Sequence, residues 1–137
     1  MKFSSVASSL IIGLYLVSAS SVQAQSLLRN AQSYALKSGE SVEVGDIYFV
    51  ANCRSLLTSP PEVTVMDGPP GVTASLTEAM VLPRAQKCSS PVKGAKLRLS
   101  ADKIEEQSYS EMTLRISYKT KDGQREQSFT FNLALFP

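Results

Sequence analysis

The sequence predicts an all-β domain, an antiparallel β-sandwich of about seven short strands held by one disulfide. Three observations carry that expectation. The last quarter, from Glu111 to Phe136, holds two strictly alternating runs separated by a turn signal. Clusters of Gly, Pro, Asn and Asp cut the rest into short apolar segments, none of them a long run of 3.6-residue period. The chain also has 2 cysteines, and an even count in a small exported domain reads as a disulfide framework.

In chain order, Met1-Lys2 precedes the apolar run Leu10 to Val17, which leads through small residues to Val22-Gln23-Ala24. This is the layout of a secretory signal peptide, too short to span a bilayer, with cleavage expected after Ala24. No Cys follows the cut, which speaks against a lipid anchor. The expectation is therefore a signal peptide over 1–24, a single β-sandwich domain over 25–137, a periplasmic or secreted location, and no membrane span once the signal is removed. Gln25 to Lys37 has no clear period. Val42 and Val44 alternate with polar residues up to the breaker Gly45-Asp46, and Ile47-Tyr48-Phe49-Val50-Ala51 reads as a central strand that carries Cys53 into the core.

Arg54 to Pro61 reads as a loop and Val63-Thr64-Val65 as a short strand. Asp67-Gly68-Pro69-Pro70-Gly71 must turn, because proline lacks the amide a sheet ladder needs and glycine tolerates positive φ. Val72 to Leu76 reads as a further short strand, followed by Ala79-Met80-Val81-Leu82 and Pro83. Lys96 to Ala101 alternates, with Ala95, Leu97, Leu99 and Ala101 on one face and Lys96, Arg98 and Ser100 on the other. Asp102 to Ser110 is polar and predicts a loop with one helical turn capped by Asp102. In the closing hairpin, Met112, Leu114, Ile116 and Tyr118 share a face, as do Phe129, Phe131, Leu133 and Leu135. With Asp122-Gly123 as the two central residues of a type I′ turn, Ile116 meets Phe129, Leu114 meets Phe131, Met112 meets Leu133 and Lys119 meets Glu126.

Cys53 and Cys88 are expected to pair. A closed loop of about 36 residues corresponds to about 3.8 kcal/mol in the chain-entropy treatment. No Cys-x-x-Cys pair or similar device points to redox chemistry. Asn52-Cys53, the Asp67-Gly-Pro-Pro-Gly-Val72 turn, Cys88 and the Tyr118-Lys-Thr-Lys-Asp-Gly123 hairpin resemble the small immunoglobulin-like or cadherin-like sandwich modules of bacterial exported proteins. The resemblance implies an immunoglobulin-like strand arrangement. Antibody-type domains bury a Trp against their inter-sheet disulfide, and this chain has none. Architecture of this kind does not carry function.

Composition narrows the chemistry. The chain has no His, so Ser-His-Asp, Cys-His and the usual zinc sites are impossible, and the residues expected to act catalytically, or to bind a metal or cofactor, are none. Asp102, Glu105 and Glu106 lack the spacing of a calcium loop and read as a solvated segment. The full chain carries 14 Lys plus Arg against 12 Asp plus Glu. Loss of Lys2 with the signal leaves 13 against 12, a net charge of +1 and no nucleic-acid signature. Between Glu78 and Asp102 every charge is positive: Arg84, Lys87, Lys93, Lys96 and Arg98. This stretch is the candidate contact for an anion or partner, weighed against the plain outward face of a strand. Function then reads as a non-catalytic exported module that binds or supports another envelope or secreted protein, with an unknown protein or glycan partner. The alternative is a small inhibitor or anion-binding accessory protein that uses the stretch 84–98.

Overall fold

A computed structural model of the chain describes residues 32–137; the signal peptide expected over 1–24 lies outside them. The described residues are all-β. In order they form β1 (Gln32–Lys37), β2 (Ser41–Ile47), β3 (Val50–Ala51), β4 (Arg54–Ser55), β5 (Glu62–Asp67), β6 (Val72–Val81), β7 (Val92–Ala101), β8 (Ser108–Thr120) and β9 (Gly123–Phe136). One sheet has the order β1-β9-β8-β5, a second β2-β7-β6, and β3-β4 is a separate two-stranded ribbon. The inner faces meet in one core. Ala95, Leu97, Leu99 and Ala101 of β7 are buried against Met112, Leu114, Ile116 and Tyr118 of β8 and Phe129, Phe131, Leu133 and Leu135 of β9. Period-two alternation puts these residues on one side of each strand, so burial of one face fixes the strands' orientation.

The expectation of a purely antiparallel sandwich needs correction, because β1 runs parallel to β9, with Gln32 opposite Phe131 and Lys37 opposite Phe136. A parallel pair needs a crossover in place of a hairpin, and here the entire intervening chain provides it. Within the unclassified lead-in, Tyr34 and Leu36 turn inward. The Tyr34 ring packs edge-on against Phe131, with centroids 5.6 Å apart. The short strand expected over 72–76 extends further, as the ten-residue β6 that also takes in Ala79, Met80 and Val81. No helical turn follows Asp102. Its amide donates to Gly71 O at 2.7 Å, which ties that segment to the Pro-Pro-Gly turn. The one helical element among the described residues is a 3-10 turn at Arg84–Gln86.

The closing hairpin is present with its predicted inner face, but its turn sits one residue earlier. Thr120 pairs with Gly123, so each β8 residue faces a β9 partner two positions before the expected one: Leu114 meets Phe129, Met112 meets Phe131 and Ile116 meets Gln127. Lys121 and Asp122 do not have positive φ, whereas Gly123 has φ 117°. The two central residues are thus Lys121 and Asp122 and the turn is not the expected type I′, while the ladder beyond it runs without a register shift. Thr120 Oγ1 donates to Gly123 O at 2.8 Å and accepts from the Asp122 amide at 3.3 Å, holding that arrangement. Because a one-residue move of the turn shifts partners by two, the buried face is unchanged. The expected Lys119–Glu126 pair is replaced by Lys119 with Glu62 at 3.9 Å and Arg115 with Glu126 at 3.7 Å.

The central strand expected over Ile47–Ala51 is not one strand. β2 ends at Ile47, and Val50–Ala51 pairs back on Arg54–Ser55. The two-residue turn between them is Asn52-Cys53, with φ 51° and 59°, the positive values that a type I′ turn requires. Cys53 is therefore at an exposed ribbon tip and not in the core. Ile47 and Phe49 join the main core, while Tyr48 and Val50 join Val81 and Val92 in a second small cluster. The chain passes so close to β7 at this point that a Cβ on Gly94 would meet the Ile47 carbonyl oxygen and lie 2.7 Å from Val81 Cγ2. Only glycine admits that approach without a shift of the backbone.

Candidate functional site

The five basic residues singled out in the sequence do not form one patch. Arg84 and Lys87 lie in the loop between β6 and β7, and Lys93, Lys96 and Arg98 lie on β7. Antiparallel pairing sets Glu43 of β2 opposite Arg98 and Asp46 opposite Lys96. Lys96 Nζ accordingly lies 3.1 Å from Glu43 Oε1 and 3.7 Å from Asp46 Oδ1, and Arg98 Nη2 lies 3.9 Å from Glu43 Oε2. The hydrogen bond to Glu43, followed by the Asp46 charge, holds the Lys96 ammonium above its ordinary pKa. Exposed pairs of this kind contribute little stability, but they cancel charge where they stand. Lys93 has the parity of the inward residues Ala95 and Leu97 and lines a cleft with Ser59, Pro60, Pro61 and Glu78. Arg84 and Lys96 line a different one with Glu43, Asp46 and Met80. Among the described residues, Arg84, Lys87 and Lys93 are exposed and make no ion pair.

Cys53 and Cys88 are joined, as expected, with Cα atoms 5.5 Å apart and 35 positions between them in sequence. The bond fastens the ribbon tip to the β6–β7 loop that carries Arg84 and Lys87. It does not cross the core between sheets. Its place makes it a staple of loops, and that loop is further set by the left-handed Lys87 (φ 57°), whose amide donates to Arg84 O at 2.9 Å.

A feature that the sequence reading passed over lies on the outer face of the four-stranded sheet. Tyr109, assigned there to a polar loop, is the second residue of β8 and is 74% exposed. Its outward phase continues through Glu111, Thr113 and Arg115, and extending that alternation backwards from Glu111 would have found it. Tyr109 faces Ala134, and Glu111 faces Asn132, which in turn faces Ser33 of β1. These residues line a shallow groove of about 400 Å³ together with Ser110 and Leu133. Gln107 Nε2 donates to the Tyr109 hydroxyl at 3.0 Å. The side chains of Ser33, Glu111 and Asn132 make no hydrogen bond among the described residues.

Glu105 and Glu106 line an open cleft with Lys103, Pro69 and Pro70, and Asp102 is exposed beside them. Among the described residues no group of three or more His, Cys, Asp or Glu is placed to hold a metal ion, and no helix is long and apolar enough to cross a membrane. Comparison of the chain with protein-family models, with curated proteins and with solved structures finds no match.

Proposed function

We propose that this protein is a non-catalytic exported module that acts by binding another component of the cell envelope or of the secreted fraction, in the periplasm or outside the cell. The observation that carries this reading is the exposed Tyr109 ring beside a groove whose polar side chains Ser33, Glu111 and Asn132 make no hydrogen bond among the described residues. Large aromatic side chains left open to water at a concave surface are common anchors of binding sites. The architecture is consistent with it. The strand order β1-β9-β8-β5 and β2-β7-β6 supports reading the sandwich as an immunoglobulin-like arrangement with its first strand in the sheet of the last. A disulfide is at home outside the reducing cytoplasm.

Affinity capture from a cell-envelope extract tests it, with the wild-type protein and Tyr109→Ala as paired baits. Recovery of a component by the wild type and its loss with Tyr109→Ala is expected; equal recovery by both overturns the assignment to this face. A second reading, a small inhibitor or anion-binding accessory protein, rests on Arg84, Lys87 and Lys93, which are exposed and make no ion pair among the described residues. It predicts capture that fails at high salt and is insensitive to Tyr109.

A further inference from the structure

We propose that the groove beside Tyr109 binds a neutral glycan, with one sugar ring stacked on the tyrosine and its neighbour hydrogen-bonded to Ser33, Asn132 and Glu111. This deepens the binding-module reading and rests on it. The carbon-bound hydrogens on one side of a pyranose form an apolar, faintly positive surface that suits the negative face of an aromatic ring. Tyr109 offers such a face at 74% exposure, and the hydrogen bond from Gln107 at 3.0 Å restrains the ring at its polar edge. Beside the ring the floor is low, because Tyr109 faces Ala134 and Ala134 faces Ala35. A flat ligand can therefore lie along the sheet.

The next row across the same three strands is Ser33, Asn132 and Glu111. Neighbouring strands are about 4.8 Å apart and same-face residues roughly 7 Å apart along a strand, so the polar row is about 10 Å wide and stands about 7 Å from the ring. That is the scale of a disaccharide. A hydroxyl, an amide and a carboxylate together supply both donors and acceptors for sugar hydroxyls, and among the described residues none makes a hydrogen bond.

Other occupants fit less well. β9, which floors the groove, is paired on both sides with β1 and β8, so an extended peptide cannot add to that strand. A protein partner ordinarily needs several buried anchors over about 800 Å² per side, and this groove presents one ring. The one charge in the polar row is the Glu111 carboxylate, which disfavours an anionic sugar.

The test titrates the isotope-labelled mature protein with cellotetraose, xylotetraose, maltotetraose and chitotetraose, with tetragalacturonate as the anionic arm, and follows backbone amide shifts. At least one neutral saccharide is expected to shift Ser33, Tyr109, Glu111 and Asn132 saturably. Tyr109→Ala should weaken that binding by about tenfold or more, Tyr109→Phe should restore most of it, and Met80→Ala, exposed on the other sheet, should leave it unchanged. The proposal is overturned if no neutral saccharide produces a shift, if the shifts lie elsewhere, if Tyr109→Ala binds as wild type does, or if tetragalacturonate binds best. Envelope capture run alongside separates the two readings. A Tyr109-dependent partner without any saccharide response removes the glycan and leaves the binding module, whereas neither response removes both.

Discussion

Phe129 and Thr113 report which face of the closing hairpin is covered. Phe129 is buried between the sheets, so Phe129→Ala should cost about 3–5 kcal/mol in urea unfolding, the usual cost of truncating a core aromatic residue. Thr113 lies on the outer face with its hydroxyl 3.1 Å from that of Thr130, and Thr113→Ala should cost about 0.5–1 kcal/mol. Equal small losses would mean that the face is misassigned. At this scale the inner residues were legible in the sequence, because period-two alternation reports the buried side whatever the turn does. The facing partners were not, since Asp122-Gly123 fits two turn types and the choice depends on Thr120 bonding across the loop. Tyr109 was missed for a related reason: a polar segment hides the first residues of a strand that alternation identifies only from Met112 onward.

At the scale of elements, the signals that failed were those that depend on a distant partner. β1 has weak local preference and exists because β9 offers it an edge. Ile47–Val50 is apolar throughout because its two sides face two different clusters, and nothing local distinguishes that from a central strand. Two substitutions probe this junction. Gly94→Ala places a methyl against the Ile47 carbonyl and Val81 and should cost about 1–3 kcal/mol, as overpacking does; a wild-type melting temperature would show that the ribbon is not held close to β7. Replacing Cys53 and Cys88 together by Ser should cost about 2–4 kcal/mol without moving the amide signals of β8 and β9. Changes spread through both sheets would place the staple's role in the core and not in the loops.

For the molecule as a whole, three phenols contribute to its response to alkali. Burial raises the pKa of Tyr34, Tyr48 and Tyr118 above the ordinary 10.0, with the Asp46 charge adding at Tyr48 and the Tyr48 phenol at Tyr118. A raised folded pKa means that the unfolded chain loses its proton first. Their contribution to stability is thus complete below pH 10.0 and is lost as pH rises past it toward the folded values. The melting temperature should fall above that pH, and Tyr118→Phe should flatten the fall; an unchanged slope would exclude Tyr118 as a source. The parallel union of β1 and β9 has a mechanical consequence. Gln32 lies beside Phe131 and Lys37 beside Phe136, so a pull applied at residue 32 and at residue 137 draws the two strands in opposite directions along their length. Every hydrogen bond between them is then loaded in shear at once, whereas a hairpin would be unzipped bond by bond, so this pair resists such a pull better than a hairpin of equal length.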